Sequence, residues 1–391
     1  MRFMGHLRNR STAAGLRIDW LVAAYCVATL GLTMLVGSAR VLTYAIPPLA
    51  LLAMLAVGRV AWSPNAPPYL VLIVAAIALA PLGSLLGLQD VYLMLIGLSP
   101  FAFGLQYKLQ WRHIFWAAVV ATILSYARKG GQGGGVQFDP LTSQSSFEAT
   151  TSFVFGVLAA WAVCERRWRP ALLALVLCIL TLKRIVALGA ILAFVVMMMP
   201  RGWMDRLLRP IPMLLLNALY LYLIVKYAQG SFDRLIFDYT DQSSNQFGMG
   251  RQQLYHYPIE TLLHEFWRIT FIGLGPGSVY EVMKGGWGFL AKTNLHNDSL
   301  KMLIEYGGIA WMAFFAVMYR PSQRFEQRVL MMFVNVMLLT DNALIYPYVI
   351  FAIGIACQNL APQALRSIVR STRAVADSGS AAEAQPSPLA R

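Results

Sequence analysis

A succession of long apolar runs, rarely broken by charge, constrains this chain more than any other feature. A bilayer-spanning helix needs about 20 mostly apolar residues, because the hydrocarbon core is about 30 Å thick. Runs that meet or approach this length lie at 18–37, 41–58, 69–88, 91–107, 113–127, 149–164, 170–182, 185–200, 211–228, 298–319, 328–342 and 344–360. Only 13% of the 391 residues are charged and 58% are hydrophobic, whereas an ordinary soluble domain is nearer one quarter charged. The expectation is an all-α, polytopic integral membrane protein with about 12 transmembrane helices. It divides into helices one to nine over 1–228, a large polar loop over 229–297, helices ten to twelve over 298–360, and a tail over 361–391 whose composition predicts disorder.

Orientation follows from Lys and Arg, which concentrate on the cytoplasmic side of membrane proteins. With the N-terminus inside and the spans alternating, 20 of the 32 basic residues fall on the inner side, against 6 of the 18 acidic ones. The net charge of +14 then reads as a topology signal and not as a nucleic-acid footprint. Both termini are expected in the cytoplasm, in a bacterial inner membrane, with loop 229–297 periplasmic. Arg2, Arg8, Arg10 and Arg17 precede the first apolar run as in a signal peptide. With so many apolar runs behind it, that run is expected to remain as an uncleaved span. Cys26, Cys164, Cys178 and Cys357 form no Cys-x-x-Cys pair and read as buried small hydrophobes.

The runs 170–182 and 185–200 are separated only by Lys183-Arg184. One helix across both would put the basic clusters at 166–169 and 201–209 on opposite sides of the membrane, so two helices are expected. Thirteen residues rise only about 20 Å, which recesses the Lys183-Arg184 turn below the outer surface. Basic residues at mid-bilayer cost about 2.5–3.5 kcal/mol each on insertion scales. Such a pair either faces a wet cavity or an anionic partner, or snorkels to the headgroups.

Few residues carry chemistry openly. His296-Asn297-Asp298 precedes a long apolar run, and Asn297 or Asp298 can cap the helix it forms. His296 then stands beside the positive end of the helix dipole, which favours the neutral imidazole a general base requires; on its own, a loop His is more often incidental than catalytic. Gly273-Leu274-Gly275-Pro276-Gly277 lacks the Lys-Ser or Lys-Thr of a P-loop and reads as a tight turn after a short helix, Pro258 to Arg268. The Gly-rich stretch 130–135, after Arg128-Lys129, reads as a linker or a flap over a site. Tyr255, Tyr257, Trp267 and Trp287 suit either sugar stacking or an interfacial aromatic belt. No Asp-x-Asp, nucleotide-binding motif or metal-ligand cluster occurs, so no cofactor and no metal are expected.

In order along the chain, Thr181-Leu182-Lys183-Arg184, Arg251, Gly273-Leu274-Gly275 and His296-Asn297-Asp298-Ser299-Leu300 with Glu305-Tyr306-Gly307-Gly308 resemble the O-antigen ligase and O-antigen polymerase superfamily. The segment HNDSLKMLIEYGG is similar to that family's His-Asn-x-x-Leu…Glu-x-Gly-x-x-Gly motif. This chain departs from the pattern at Ala310-Trp311, where the family has its last Gly, and at Lys183-Arg184, where it usually has Ser-Arg. The motifs cover roughly 150–345, and the family's twelve helices with one large outer loop match the expected topology.

The resemblance implies a metal-independent, inverting membrane glycosyltransferase that uses a polyprenyl-diphosphate-linked glycan donor at the periplasmic face. Its acceptor is a glycan, in a polymerase, or lipid A–core, in a ligase. His296 is then the expected base, and Arg184 and Arg251 are the candidate catalytic cations on the diphosphate; Lys183, Arg128, Lys129 and Asn297 are expected to bind substrate. Bidentate Arg suits diphosphate, and without a metal the protein itself must stabilise the leaving charge. Membrane lipids and other polysaccharide-assembly proteins are the remaining expected partners, with no nucleic acid. Of the two acceptors, Lys-Arg in place of Ser-Arg leans toward polymerase. A transporter of lipid-linked glycan is the rival of another class; it predicts internal repeats with interrupted helices, and none is visible.

Overall fold

The computed structural model describes residues 40–57, 66–101, 109–130, 138–139, 144–145, 151–181, 183–287 and 294–360. The expected first span at 18–37, the tail 361–391 and residues 131–135 of the Gly-rich stretch lie outside them. The described residues are all-α apart from one antiparallel pair, β1 (Phe138–Asp139) with β2 (Gln144–Ser145). Helices α1 (Arg40–Thr43), α2 (Ile46–Val57), α3 (Pro67–Ala78), α4 (Leu85–Leu98) and α5 (Trp111–Gly130) come first. They are followed by α6 (Ser152–Cys164), α7 (Trp168–Leu180), α8 (Arg184–Met198), α9 (Arg201–Leu207) and α10 (Pro210–Ala228). The 229–297 segment holds α11 (Asp233–Thr240), α12 (Ser244–Phe247), α13 (Arg251–His264), α14 (Phe266–Phe271) and α15 (Ser278–Trp287). Then come α16 (Asp298–Met318), α17 (Phe325–Thr340) and α18 (Pro347–Leu360).

The two-helix reading of 170–200 holds, with α7 and α8 broken at Thr181 and Lys183. Other boundaries need correction. The run 69–88 is not one helix: α3 stops at Ala78, a 3-10 turn covers Ala80–Leu82, and Ser84 caps α4 with its hydroxyl. Pro81 has no N–H to donate, and Gly83 is extended at ψ 170°, so the helix ladder cannot continue through them. The helix expected from Pro258 begins at Arg251, where Gly250 at φ 81° turns the chain into it and Pro258 lies inside. The run 328–342 ends as a helix at Thr340, which leaves Asp341 and Asn342 in the connection to α18.

Helix α6 is the centre of the packing, with all of its residues buried. Gly156 makes that possible: a Cβ there would lie 2.1 Å from Val186 Cγ1 of α8 and 2.8 Å from the Phe333 ring of α17. Polar contacts sort the connections into two ends of the bundle. At one end Arg201 pairs with Glu326 at 3.4 Å, Arg328 pairs with Asp205, and Asn359 Nδ2 donates to the Leu109 carbonyl at 3.1 Å. At the other the Ser84 N–H donates to the Pro276 carbonyl at 2.8 Å, Thr122 and Thr151 bond at 2.8 Å, and Asp90 pairs with Lys301.

Of the described helices, α10 and α16 are long and apolar enough to cross a membrane; α3, α6, α7, α8 and α18 are apolar but shorter. Large apolar side chains lie exposed along α7 (Leu172, Leu173, Ile179), α8 (Leu188, Ile191, Phe194) and α10 (Ile211, Leu215, Leu219). Only 22% of the apolar stretch of α10 is buried, the reverse of what a helix packed into a water-soluble core shows.

Candidate functional site

At the Ser84 end of the bundle the start of α16 fixes His296. Asn297 is the N-cap: its side-chain oxygen accepts from the Leu300 N–H at 2.9 Å. Asn297 is fully buried, so its place here is to set the helix start, a role read from the sequence alongside substrate binding. The next residue, Asp298, is also buried and accepts the Leu344 N–H at 2.8 Å, tying α16 to the connection before α18.

His296 sits at φ 54°, in the left-handed region, which costs a side-chain-bearing residue of order 1–3 kcal/mol. Two bonds hold it there: its N–H donates to Asn342 Oδ1 at 3.2 Å, and its carbonyl accepts the Tyr255 hydroxyl at 3.3 Å. The ring is half-exposed, and its Nδ1 stands 3.2 Å from Asp341 Oδ1 and 3.3 Å from Asn342 Nδ2. Burial pushes the Asp341 carboxyl up, but the His296 ring, the Lys183 charge and the Asn342 N–H together hold it below the usual carboxylate range. An ionised Asp341 only accepts, so Nδ1 donates to it and the Nε2 lone pair is left open; no described residue bonds Nε2.

The basic residues gather around this pair from two directions. Lys183, at the break between α7 and α8, acts on the Asp341 carboxylate and has its ammonium 6.0 Å from the Phe153 ring centroid. Arg184 opens α8 beside it with an exposed side chain. Arg251 opens α13, and its charge acts on the hydroxyls of Tyr220, Tyr227 and Tyr255. Burial pushes the Tyr255 hydroxyl up to about 12 against the pull of Arg251, so it stays a neutral donor to the His296 carbonyl. Lys183, Arg251 and His296 are thus joined through Asp341 and Tyr255. Arg128 and Lys129 close α5, and their side chains lie outside the described set.

Sequence reading missed Asp341 and Asn342, because both fell inside an apolar run taken as a span. The signal available was the acid itself, since a carboxylate at a span's end is costly unless it is used. Tyr255, a stacking candidate in the sequence, is buried and serves as a strut instead.

The two glycine motifs meet behind this site. Helix α16 is interrupted at Gly307, φ 82° and ψ 164°. There the carbonyls of Ile304 and Glu305 accept the N–H groups of Leu274 and Gly275, each at 2.9 Å. The turn Gly273 to Gly277 crosses α16 so closely that a Cβ on Gly273 would lie 2.5 Å from the Gly307 nitrogen. Below it, Lys301 pairs with Asp90 and donates to the Tyr280 hydroxyl at 3.0 Å, fastening α15 and α4 to α16. No protein-family model, no curated protein and no solved structure matches this chain.

Proposed function

We propose that this chain is a polytopic protein of the bacterial inner membrane, with about 12 transmembrane helices and loop 229–297 on the periplasmic side. On this reading it polymerises polyprenyl-diphosphate-linked oligosaccharide repeat units at that face. The membrane part is supported by the unburied apolar faces of α7, α8 and α10, which a water-soluble monomer rarely tolerates. It is also supported by the two-ended sorting of contacts: Arg201, Asp205, Glu326 and Arg328, all assigned inside by charge counting, meet one another, while Asp90 and Lys301, both counted outside, pair at the other end.

One observation carries the chemistry: the His296–Asp341 pair is joined to Lys183 through Asp341 and to Arg251 through Tyr255, and Arg184 follows Lys183 at the start of α8. The open Nε2 of His296 takes the proton of the attacking sugar hydroxyl. The hydroxyl oxygen bonds to the anomeric carbon of the donor as its bond to the diphosphate oxygen breaks, and the configuration inverts. The departing diphosphate keeps the electron pair, and the three cations stabilise that charge without a metal. Asp341 holds the imidazole in its Nδ1–H tautomer and balances the imidazolium that forms.

The test is His296→Ala, assayed for glycan transfer per membrane-inserted molecule. A fall of about 10²–10⁴-fold with normal insertion is expected, and near-normal turnover removes His296 from the site. The surface glycan of a deletion strain fixes the acceptor: single repeat units mark a polymerase, and unattached long polymer marks a ligase.

A further inference from the structure

A second feature of the 229–297 segment faces away from the His296 site. A cavity of about 400 Å³ is lined by Ala228, Asn245, Gln252, Gln253, His256 and Tyr257. Its volume falls within the about 300–1,000 Å³ usual for small-molecule sites. Four of its six lining residues come from α13, the helix that carries Arg251 and Tyr255. Arg251 and Tyr255, one turn apart, lie on the face toward His296, while Gln252, Gln253, His256 and Tyr257 line the cavity. The two places are therefore separated by about one helix width, roughly 10 Å.

The wall has one chemical character. It presents three side-chain amides, two rings and a methyl group, with no Lys, Arg, Asp or Glu among the lining residues. An amide offers a donor and an acceptor together, which matches a hydroxyl group that both donates and accepts. The amides are also set in place before any ligand arrives. Gln252 Nε2 donates to Asp233 Oδ1 at 2.6 Å and to the Tyr227 carbonyl at 3.1 Å, and its Oε1 bonds none of the described residues. Asn245 Oδ1 accepts the Gln253 N–H at 3.2 Å, and Asn245 Nδ2 donates to Gln253 Oε1 at 3.4 Å, which leaves Gln253 Nε2 free. Both ring nitrogens of His256 lack hydrogen-bond partners in the cavity wall; its ring meets that of Tyr257 edge-on, with centroids 5.4 Å apart and planes at 72°. Fixed amides beside an aromatic surface suit an uncharged sugar, whose C–H face packs on a ring while its hydroxyls reach outward.

We propose that this cavity is a subsite for an uncharged sugar residue of the glycan, one helix width from the diphosphate. The proposal rests on the transferase reading above and adds where the sugar chain is gripped and which side chains grip it. Gln252 Oε1 accepts and Gln253 Nε2 donates to sugar hydroxyls, while Tyr257 and His256 carry the ring. Holding a sugar away from the reacting atoms binds ground state and transition state alike, so it lowers KM and leaves kcat unchanged.

The test uses the full chain in detergent or nanodiscs. The probe is the oligosaccharide released by mild acid from the polyprenyl-linked glycan of the source cells, free of lipid and phosphate. Saturation-transfer NMR and titration measure its binding, and glycan transfer is assayed in parallel. Gln253→Ala and Tyr257→Ala are each expected to weaken probe binding by about 3- to 10-fold, the loss of one or two ordinary contacts. Each should raise KM for transfer by a similar factor at unchanged kcat. Gln253 is exposed on a helix, where Ala is the best helix former, so that variant tests the contact without a folding defect. Binding and KM unchanged in both variants overturn the subsite. The two readings fail separately: transfer that needs His296 but ignores both variants removes the subsite and leaves the transferase. Probe binding that needs Gln253 and Tyr257, in a chain whose transfer ignores His296, keeps the subsite and removes the transferase chemistry.

Discussion

Gly307→Ala tests the crossing of the two glycine motifs. At φ 82° and ψ 164°, Gly307 occupies a region of backbone space that is essentially closed to residues with a side chain, at a cost of about 1–3 kcal/mol. Space is closed as well: the added methyl would lie 2.5 Å from the Ile272 carbonyl carbon, 2.7 Å from its oxygen and 2.8 Å from the Gly273 nitrogen. All three are backbone atoms, so no rotamer change relieves the contact. The turn must lift off α16, and the bonds from Leu274 N–H to Ile304 O and from Gly275 N–H to Glu305 O go with it, at about 1 kcal/mol each. The total is about 3–5 kcal/mol. At roughly 2 °C per kcal/mol for a large chain, apparent Tm in detergent should fall by about 6–10 °C. Gly202→Ala is the control: a Cβ there meets nothing within 4 Å, and in the short helix α9 it should be neutral or slightly stabilising. A Gly307→Ala protein as stable as the parent would mean that α16 is not interrupted there and that the turn does not cross it.

Three further outcomes follow from the same structure. Asp341→Asn keeps the size of the side chain but removes the charge that orients His296, so transfer should slow, by no more than the about 10²–10⁴-fold expected for losing the base itself; unchanged turnover would sink the pairing. Because the Asp341 carboxyl is held below its usual range, its stabilising share is present above the unfolded value of about 4 and lost as pH falls through the folded one. The parent should accordingly lose more stability than Asp341→Asn on acidification below about pH 4. Reporter fusions after Arg169, Arg209 and Arg373 should read cytoplasm and one near Ser243 periplasm; a cytoplasmic reading at Ser243 overturns the topology. Transfer should persist in EDTA, since no group of three or more His, Cys, Asp or Glu is placed to hold a metal among the described residues; loss restored by Mg²⁺ alone would refute the cation-only site.

What was legible in the sequence was local. Apolar runs announced helices because each buries or exposes its apolar side chains wherever it goes, and Asn297 announced a cap because capping needs only three successive residues. The break at Lys183 was legible from charge counting, since one helix there would have reversed the sign of a loop. Helix ends were less legible. Pro81 and Gly83 lie inside the apolar run 69–88, where hydropathy alone does not register that they remove the donor and the rigidity a helix needs. Asp341 was hidden for a different reason. Its value lies in partners 45 and 158 positions away, His296 and Lys183, and no local pattern encodes such a distance.

A carboxylate among cations invites the objection that it weakens a site built for an anionic leaving group. The geometry answers it on the transferase reading. Asp341 is nine-tenths buried and spends its Oδ1 on the His296 ring and the Asn342 N–H, so the imidazole screens it from the open Nε2 side. Lys183 is the cation nearest in effect to that carboxylate, while Arg251 approaches from the α13 side through Tyr255. When Nε2 takes a proton, the His296–Asp341 pair passes from one negative charge to none. At the same moment the donor's diphosphate gains a negative charge. The region around the base becomes more positive as the leaving group becomes more negative, so the two changes attract each other in the transition state and not before it. An interaction that grows along the reaction coordinate lowers the barrier, where uniform attraction would only bind the donor more tightly.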